Sequence, residues 1–374
     1  MIVNCGIAFF IFGLTSSIIG PTLIDIATSF GTAVAFVGLL RSARQVRQFI
    51  GYIYFGKAAD KFNLRSFAIW GGLAMAIGLI CTPYFNFKIA LVSVILWGFG
   101  HSIYNFAPNV IIGRHFEIKS SSIMTSLHGI YGLGAVSGPW IVEILRPIGL
   151  QSIYTFVSTM TLVAALLYWF GTKNISSNLP PLNLRKDSLA EKVSIRLIIP
   201  YILGVVLFNG ANFTASDWIY YYIQKVVGTD SSLATLVLSA FWIGMTGGRF
   251  ILGWFTALTS EKIVLRFSVI LTILAASMLC FPTLAISVIL LGATFLGVGL
   301  APVYPILIAS AANRFSANRG TITGILAAAG AFGAILIPLL QGWLSSVKEQ
   351  GLVVVLISSI GMALVIFKIP LNSK

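Results

Sequence analysis

Gly51-Tyr52-Ile53-Tyr54-Phe55-Gly56 returns 197 residues later as Gly248-Arg249-Phe250-Ile251-Leu252-Gly253, the same pair of glycines at the same spacing. Other positions follow. Gly98 and Gly100 return as Gly297 and Gly299, 199 residues on, and Arg114 returns as Arg314, 200 on. Gly134 and Pro139 return as Gly333 and Pro338, again 199 on. Seven positions in four segments keep one offset to within three residues, which implies two copies of one unit.

The unit is apolar. Hydrophobic residues make up 57% of the 374-residue chain, charged residues 9%, and the mean hydropathy is +0.96. A soluble domain carries about a quarter charged residues. A transmembrane helix needs about 20 mostly apolar residues. Twelve such runs can be read, near 2–27, 33–56, 66–85, 88–112, 121–145, 150–171, 197–222, 233–256, 264–282, 286–309, 320–343 and 351–369. Between the sixth and seventh lies a stretch with Pro180, Pro181 and a charge cluster from Arg185 to Lys192. The expected fold is an all-α membrane protein of twelve transmembrane helices in two pseudo-symmetric six-helix halves. These are residues 1–172 and 197–374, with 173–196 as a cytoplasmic linker. A duplicated bundle of this kind usually moves a solute through a site between its halves.

Lysine and arginine set the orientation. With both termini inside, the inner loops and ends collect Lys57, Lys61, Arg65, Arg114, Lys119, Lys173, Arg185, Lys186, Lys192, Arg196, Lys262, Arg266, Arg314, Arg319, Lys368 and Lys374. The outer loops hold Lys88, Arg146, Lys225 and Lys348. The positive-inside rule measures this asymmetry. The formal net charge of +14 therefore reads as topology, and no nucleic-acid partner is expected. Cys5, Cys81 and Cys280 lie in or beside apolar runs without metal-ligand spacing and read as packing residues. The first apolar run begins almost at once, so no cleavable signal peptide is expected. The expected location is a bacterial cell membrane, with the chain multi-pass, monomeric and in contact with lipid.

The loop after the second run reads Gly56-Lys57-Ala58-Ala59-Asp60-Lys61-Phe62-Asn63-Leu64-Arg65. It resembles the loop motif of the major facilitator superfamily: glycine, three residues, an aspartate, a basic residue, then further basic residues. The usual glycine before the last basic pair is Asn63 here, and of that pair Arg65 remains. The resemblance covers the whole chain. It implies that Gly56, Asp60, Lys61 and Arg65 help hold the two halves in one state. The second copy has Ala257 in place of Asp60.

Other segments are similar to the fucose–galactose–glucose:proton symporter branch. Leu127-His128-Gly129-Ile130-Tyr131-Gly132-Leu133-Gly134 with Gly138-Pro139 resembles its fifth span. Asp217-Trp218-Ile219-Tyr220-Tyr221, Phe241-Trp242 and Gly248-Arg249 resemble its seventh and eighth. The stretch from Gly297 to Pro305 resembles its tenth. Where that branch often carries a glutamate in the seventh span, this chain has Asn212.

The second run is the most polar. Arg41, Arg44, Gln45, Arg47 and Gln48 fall within one helical sector of about 160°. Arg44 lies roughly 16 Å into the membrane at 1.5 Å per residue. An arginine at that depth costs at least about 2.5–3.5 kcal/mol. These cations must line a wet cavity, pair with acids or bond carbonyls. Asp25, Glu143 and Asp217 are the acids inside the runs, all near outer ends, so a surplus of positive charge is expected around the arginines. Bidentate guanidinium suits an organic anion; the family resemblance suggests a sugar-like solute. Arg44 is the residue of the three expected to face solute.

The further candidates are few. Arg249 adds a cation in the eighth run, beside Trp242 in the same run. His101 lies mid-span in the fourth, with Tyr104, Asn105 and Asn109 further in, and His128 in the fifth. Histidine titrates near neutrality, so His101, His128, Asp25 and Asp217 are the candidates for carrying a coupling proton or other ion. Asn212 beside Gly210 and Ala211 predicts a loosened seventh helix. The depth of Trp218, Tyr220 and Tyr221 predicts an interfacial aromatic belt. No nucleophile elbow, zinc spacing or phosphate loop is present, so neither an enzyme nor a cofactor is expected. The function expected is secondary active transport of a small polar solute by alternating access, coupled to protons. The alternative is a non-transporting receptor or scaffold on the same fold.

Overall fold

A computed structural model describes residues 2–58, 64–115, 120–172, 195–315, 319–347 and 351–369. Every regular element among them is helical. The chain divides into two compact units, Met1–Asn183 and Leu184–Lys374.

The first unit holds α1 (Ile2–Ser17), α2 (Ile19–Phe30), α3 (Val34–Ala58), α4 (Leu64–Cys81), α5 (Phe87–His115), α6 (Ser120–Leu145) and α7 (Leu150–Gly171). The second holds α8 (Ile195–Tyr221), α9 (Ser231–Leu258), α10 (Glu261–Met278), α11 (Ile286–Leu300), α12 (Val303–Arg314), α13 (Arg319–Val347) and α14 (Val353–Ile366). The pairs α1–α2 and α11–α12 each make one span in two pieces, so the helices account for all twelve apolar runs. Six described spans pass a test of length and apolarity for crossing a membrane, and the bent pair α1–α2 makes a seventh. The arginines of α3 explain why a true span can fall short of such a test.

The duplication is visible inside each unit. In the first, span 1 packs on spans 5 and 6, span 4 on spans 2 and 3, and span 3 on span 6. In the second, span 7 packs on spans 11 and 12, span 10 on spans 8 and 9, and span 9 on span 12. The pairings are the same five. The repeated glycines mark where helices cross most closely. A Cβ on Gly134 of α6 would lie 2.0 Å from the Phe10 carbonyl oxygen of α1. A Cβ on Gly333 of α13 would lie 2.1 Å from the Val206 carbonyl oxygen of α8. Gly13 and Gly210 face these crossings from the other side, against the Tyr131 carbonyl and Ile337. Lipid offers no hydrophobic drive for helices to associate, so close approach over small residues supplies the packing.

The first span differs from its expected form. The continuous run 2–27 is broken at Ile18, with α1 and α2 bent by 48°. Pro21 has no N–H to donate to the Ser17 carbonyl, and Gly20 before it lowers helix propensity further. Pro108, Pro139, Pro200 and Pro338 sit inside unbroken helices, so a proline within a span of this chain does not by itself require a break.

Candidate functional site

The polar face of α3 is buried. Arg41, Arg44 and Gln45 are 2%, 1% and 0% exposed. Arg44 Nη1 donates to the Thr15 carbonyl at 2.8 Å, one turn before the break in span 1. Its guanidinium lies over Trp97 of α5, 4.5 Å from the ring centroid. Arg44 therefore ties α3 to α1 and α5. A side chain bonded into the carbonyl ladder is a recognised cause of a sharp bend, and here it coincides with Gly20-Pro21. The residue expected to face solute thus makes a structural tie in this conformation. Both amide atoms of Gln45 are buried without a hydrogen-bond partner among the described residues. The side chains of Arg47 and Gln48 lie outside the described set, as do Asp60, Lys61 and the surroundings of Gly56.

Arg65, the described member of the loop motif, bonds within its own half. Its Nε donates to the Trp169 carbonyl at 2.6 Å, and its guanidinium stacks 3.8 Å from the Trp169 ring centroid. It caps the C-terminal end of α7, where free carbonyls favour a cation.

Both candidate histidines of the first half pack on α1. His101 is buried with its ring 5.0 Å from Phe12, and exposed His128 meets Phe9 edge-on at 5.5 Å. Asn109 Nδ2 donates to both the carbonyl and the Oδ1 of Asn105, at 2.8 and 2.9 Å. Asp25 of α2 forms an ion pair with Arg146, in the turn between α6 and α7, and Arg146 also reaches Glu143 at 3.4 Å.

In the second half, Asp217 is buried and accepts from Ser216 Oγ at 3.3 Å. Trp242 is buried beside Phe241, while Arg249 is half-buried. Asn212 keeps a buried Oδ1 without a hydrogen-bond partner among the described residues. Two expectations fail here. α8 is regular through Gly210 and Asn212, because Gly210 accommodates Ile337 rather than loosening the helix. The irregular turn comes later, as a π-helix at Tyr222–Val226. The aromatic belt is also absent at Trp218 and Tyr220: both are buried, with Trp218 edge-on to Tyr221 at 5.5 Å, so they face protein and not a lipid boundary.

Burial also picks out the first helix of each half. Every residue from Ile11 to Leu23 is buried, and every residue from Thr214 to Tyr220. A helix enclosed on all faces serves as an interior element of its bundle. Sequence reasoning missed Thr15, Trp97 and the break at Ile18. Only the last had a signal, Gly20-Pro21 inside an apolar run.

The chain belongs to the Major Facilitator Superfamily, whose family model matches residues 5–289 and again 203–373. It is an integral multi-pass membrane protein and a transporter of small solutes. It is 22% identical over 290 residues to Bypass of stop codon protein 6 of Saccharomyces cerevisiae, covering 68% of this chain and 56% of that protein. The match thus spans little more than half of that relative's length. It is 22% identical over 297 residues to the glucose/mannose transporter GlcP of Bacillus subtilis, covering 72% of this chain and 70% of that one. Among solved structures, the nucleoside transporter NupG superposes with a TM-score of 0.78 over 98% of both chains at 14% identity, a likeness of fold.

Proposed function

We propose that this protein is a secondary active transporter that moves a small, polyhydroxylated, sugar-like solute by alternating access, coupled to protons. The observation that carries the reading is membership of a transporter superfamily combined with polar side chains buried inside apolar spans. Buried polar groups in spans mark solute and ion paths. Gln45 and Asn212, with unused buried amide atoms, supply neutral hydrogen-bonding groups suited to hydroxyls. Arg41, Arg47, Gln48, His101, Asn105, Trp242 and Arg249 complete the proposed solute contacts. His101, His128 and Asp217 are the proposed proton carriers; Asp25 and Arg44 have structural bonds that draw them away from such roles. The similarity to GlcP, a glucose/mannose transporter, supports the sugar class. We further propose a monomer without catalytic activity, without a nucleic-acid partner, with both termini cytoplasmic, in a bacterial cell membrane. The halves are proposed to be residues 1–172 and 197–374.

A second reading, an organic anion, is favoured by the burial of Arg41 close to Arg44 on α3. A thermal-shift screen of sugars and carboxylates on purified protein separates the two. Sugars should raise the unfolding temperature, and proteoliposomes should accumulate labelled D-glucose or a related sugar only under an inward proton gradient. Stabilisation by carboxylates alone would move the assignment to the anion. Ligand binding without any flux would favour a receptor.

A further inference from the structure

One pair of side chains is repeated in the two halves and used differently. Arg65 and Trp169 of the first half return as Arg266 and Phe367 in the second, 201 and 198 residues on. Each arginine lies near the start of one span, over an aromatic ring at the end of another. The guanidinium of Arg65 is 3.8 Å from the Trp169 ring centroid, and that of Arg266 is 5.1 Å from the Phe367 centroid.

The two cations then part. Arg65 Nε donates to the Trp169 carbonyl at 2.6 Å, so this guanidinium serves the end of α7. The end of α14 needs no such donor. Its Ala363, Val365 and Ile366 carbonyls accept from Phe367 N, Lys368 N and Ile369 N at 2.9, 3.0 and 3.1 Å. Half-buried Arg266 has no hydrogen-bond or ion-pair partner among the described residues. Stacking uses the face of a guanidinium and leaves its edge N–H groups free to donate.

The charge around Arg266 is one-sided. Lys262 lies one turn before it and about 40° away around α10, and Lys368 directly follows Phe367. Glu261, the only acid in α10, lies about 140° around the helix from Arg266, and α14 has no acid. α10 packs on α14. Deeper than these cations, exposed apolar side chains continue along both helices: Phe267 and Ile270 on α10, Leu364 and Ile360 on α14. Cations at one end of two exposed apolar stripes match a headgroup phosphate and the acyl chains below it.

We propose that the end of the second half where α10 begins and α14 stops binds an anionic phospholipid of the phosphatidylglycerol type. Arg266 holds two phosphate oxygens through its planar fork, and Lys262 and Lys368 add charge. A headgroup ammonium is disfavoured, because neither α10 nor α14 turns a carboxylate toward these cations. In the first half the matching arginine serves its own helix end instead. The site does not depend on which solute is carried.

The test is lipid titration of the full-length protein in mild detergent, with native mass spectrometry reading the fraction that carries dioleoyl phosphatidylglycerol. Arg266→Gln should weaken binding about tenfold or more, through loss of a charge-assisted fork. Lys262→Gln and Lys368→Gln should each weaken it about fivefold. These two leave the stack on Phe367 intact and decide the matter if Arg266→Gln does not fold. Arg65→Gln should leave binding unchanged. Dioleoyl phosphatidylethanolamine should bind the parent more weakly, and excess inorganic phosphate should not displace the lipid. Equal binding by the parent and a Lys262→Gln, Lys368→Gln double variant would overturn the proposal. So would an equal loss in Arg65→Gln, which would show a diffuse response to net charge. Equal binding of the ethanolamine lipid, or displacement by phosphate, would overturn it as well: the first removes the selectivity for an anionic headgroup, the second shows an anion site without a lipid.

Discussion

Spans 1 and 2 and spans 7 and 8 are copies of one another that have taken opposite courses. At the shared offset of 197, Arg44 of α3 corresponds to Phe241 of α9, Gln45 to Trp242, and Arg41 to Leu238. In the helices they serve, Thr15 corresponds to Asn212 and Pro21 to Trp218. The first half has a buried cation bonded to a backbone carbonyl beside a broken helix. The second half has packed aromatic and aliphatic side chains beside a helix that runs unbroken to Tyr221. Yet the close crossing of the first and fifth helices, built on Gly13 and Gly134, reappears at Gly210 and Gly333. Duplication has therefore preserved the spacing of helices and released the chemistry of what fills the gaps. A shared offset locates scaffold. Departures from it locate the residues that give each half its own behaviour.

The largest expected effect tests the shared part. Gly134→Ala and Gly333→Ala each place a methyl group against a carbonyl oxygen on the partner helix. Each should destabilise the protein by about 3 kcal/mol, the upper range for overpacking, since neither backbone can retreat without parting two helices. Unfolding midpoints in detergent measure this. A large loss at one glycine with none at the other would break the equivalence of the two crossings.

The next effect tests the divergent part. Arg44→Leu removes a charge-assisted bond to Thr15 and the stack on Trp97, and leaves the Thr15 carbonyl without that donor. The expected cost is about 2 kcal/mol. Phe241→Leu, at the matching position, exchanges one apolar side chain for another and should cost less than about 1.5 kcal/mol. Equal costs would mean that the arginine contributes little beyond its volume. Arg44→Gln separates structure from recognition. A loss of stability with unchanged solute binding fits a tie; loss of binding at unchanged stability would return Arg44 to the solute.

How much of this was readable in the chain follows the same division. The twelve runs, the two halves and the repeated glycines were legible because helix length and small-residue spacing are one-dimensional properties. The destination of Arg44 was not. Its depth could be computed from its number, but three outcomes satisfied the physics: a cavity, an acid or a carbonyl. Choosing among them needs the position of Trp97 and Thr15, 53 and 29 positions away along the chain. The pairing of Asp25 with Arg146 was hidden for the same reason. Trp218 and Tyr220 show a different failure. Their depth suited a lipid interface, and only the neighbours that bury them distinguish an interior wall from a belt. Gly210 was misread because a glycine in an apolar helix serves close packing as readily as flexibility.

The smallest expected effect asks what sets the break in span 1. Both Gly20-Pro21 and Arg44 are present in the first half and missing at the matching places in the second, so the comparison alone does not separate them. Pro21→Ala restores an N–H and removes the ring, and should change stability by less than about 1 kcal/mol because the site already lies in the first turn of α2. Spin labels at the exposed positions Val3 and Thr28 report the bend as a distance. At 1.5 Å per residue a straight helix would separate those positions by about 38 Å, and a 48° bend at Ile18 shortens that by about 3 Å. If Arg44 sets the break, Pro21→Ala should leave the distance unchanged, and adding Arg44→Leu should lengthen it by about 3 Å. Full lengthening by Pro21→Ala alone would assign the break to proline and reduce Arg44 to a residue that fills the opening proline makes. With Arg44 in control, the missing arginine at Phe241 explains why the seventh span, unlike the first, stays whole.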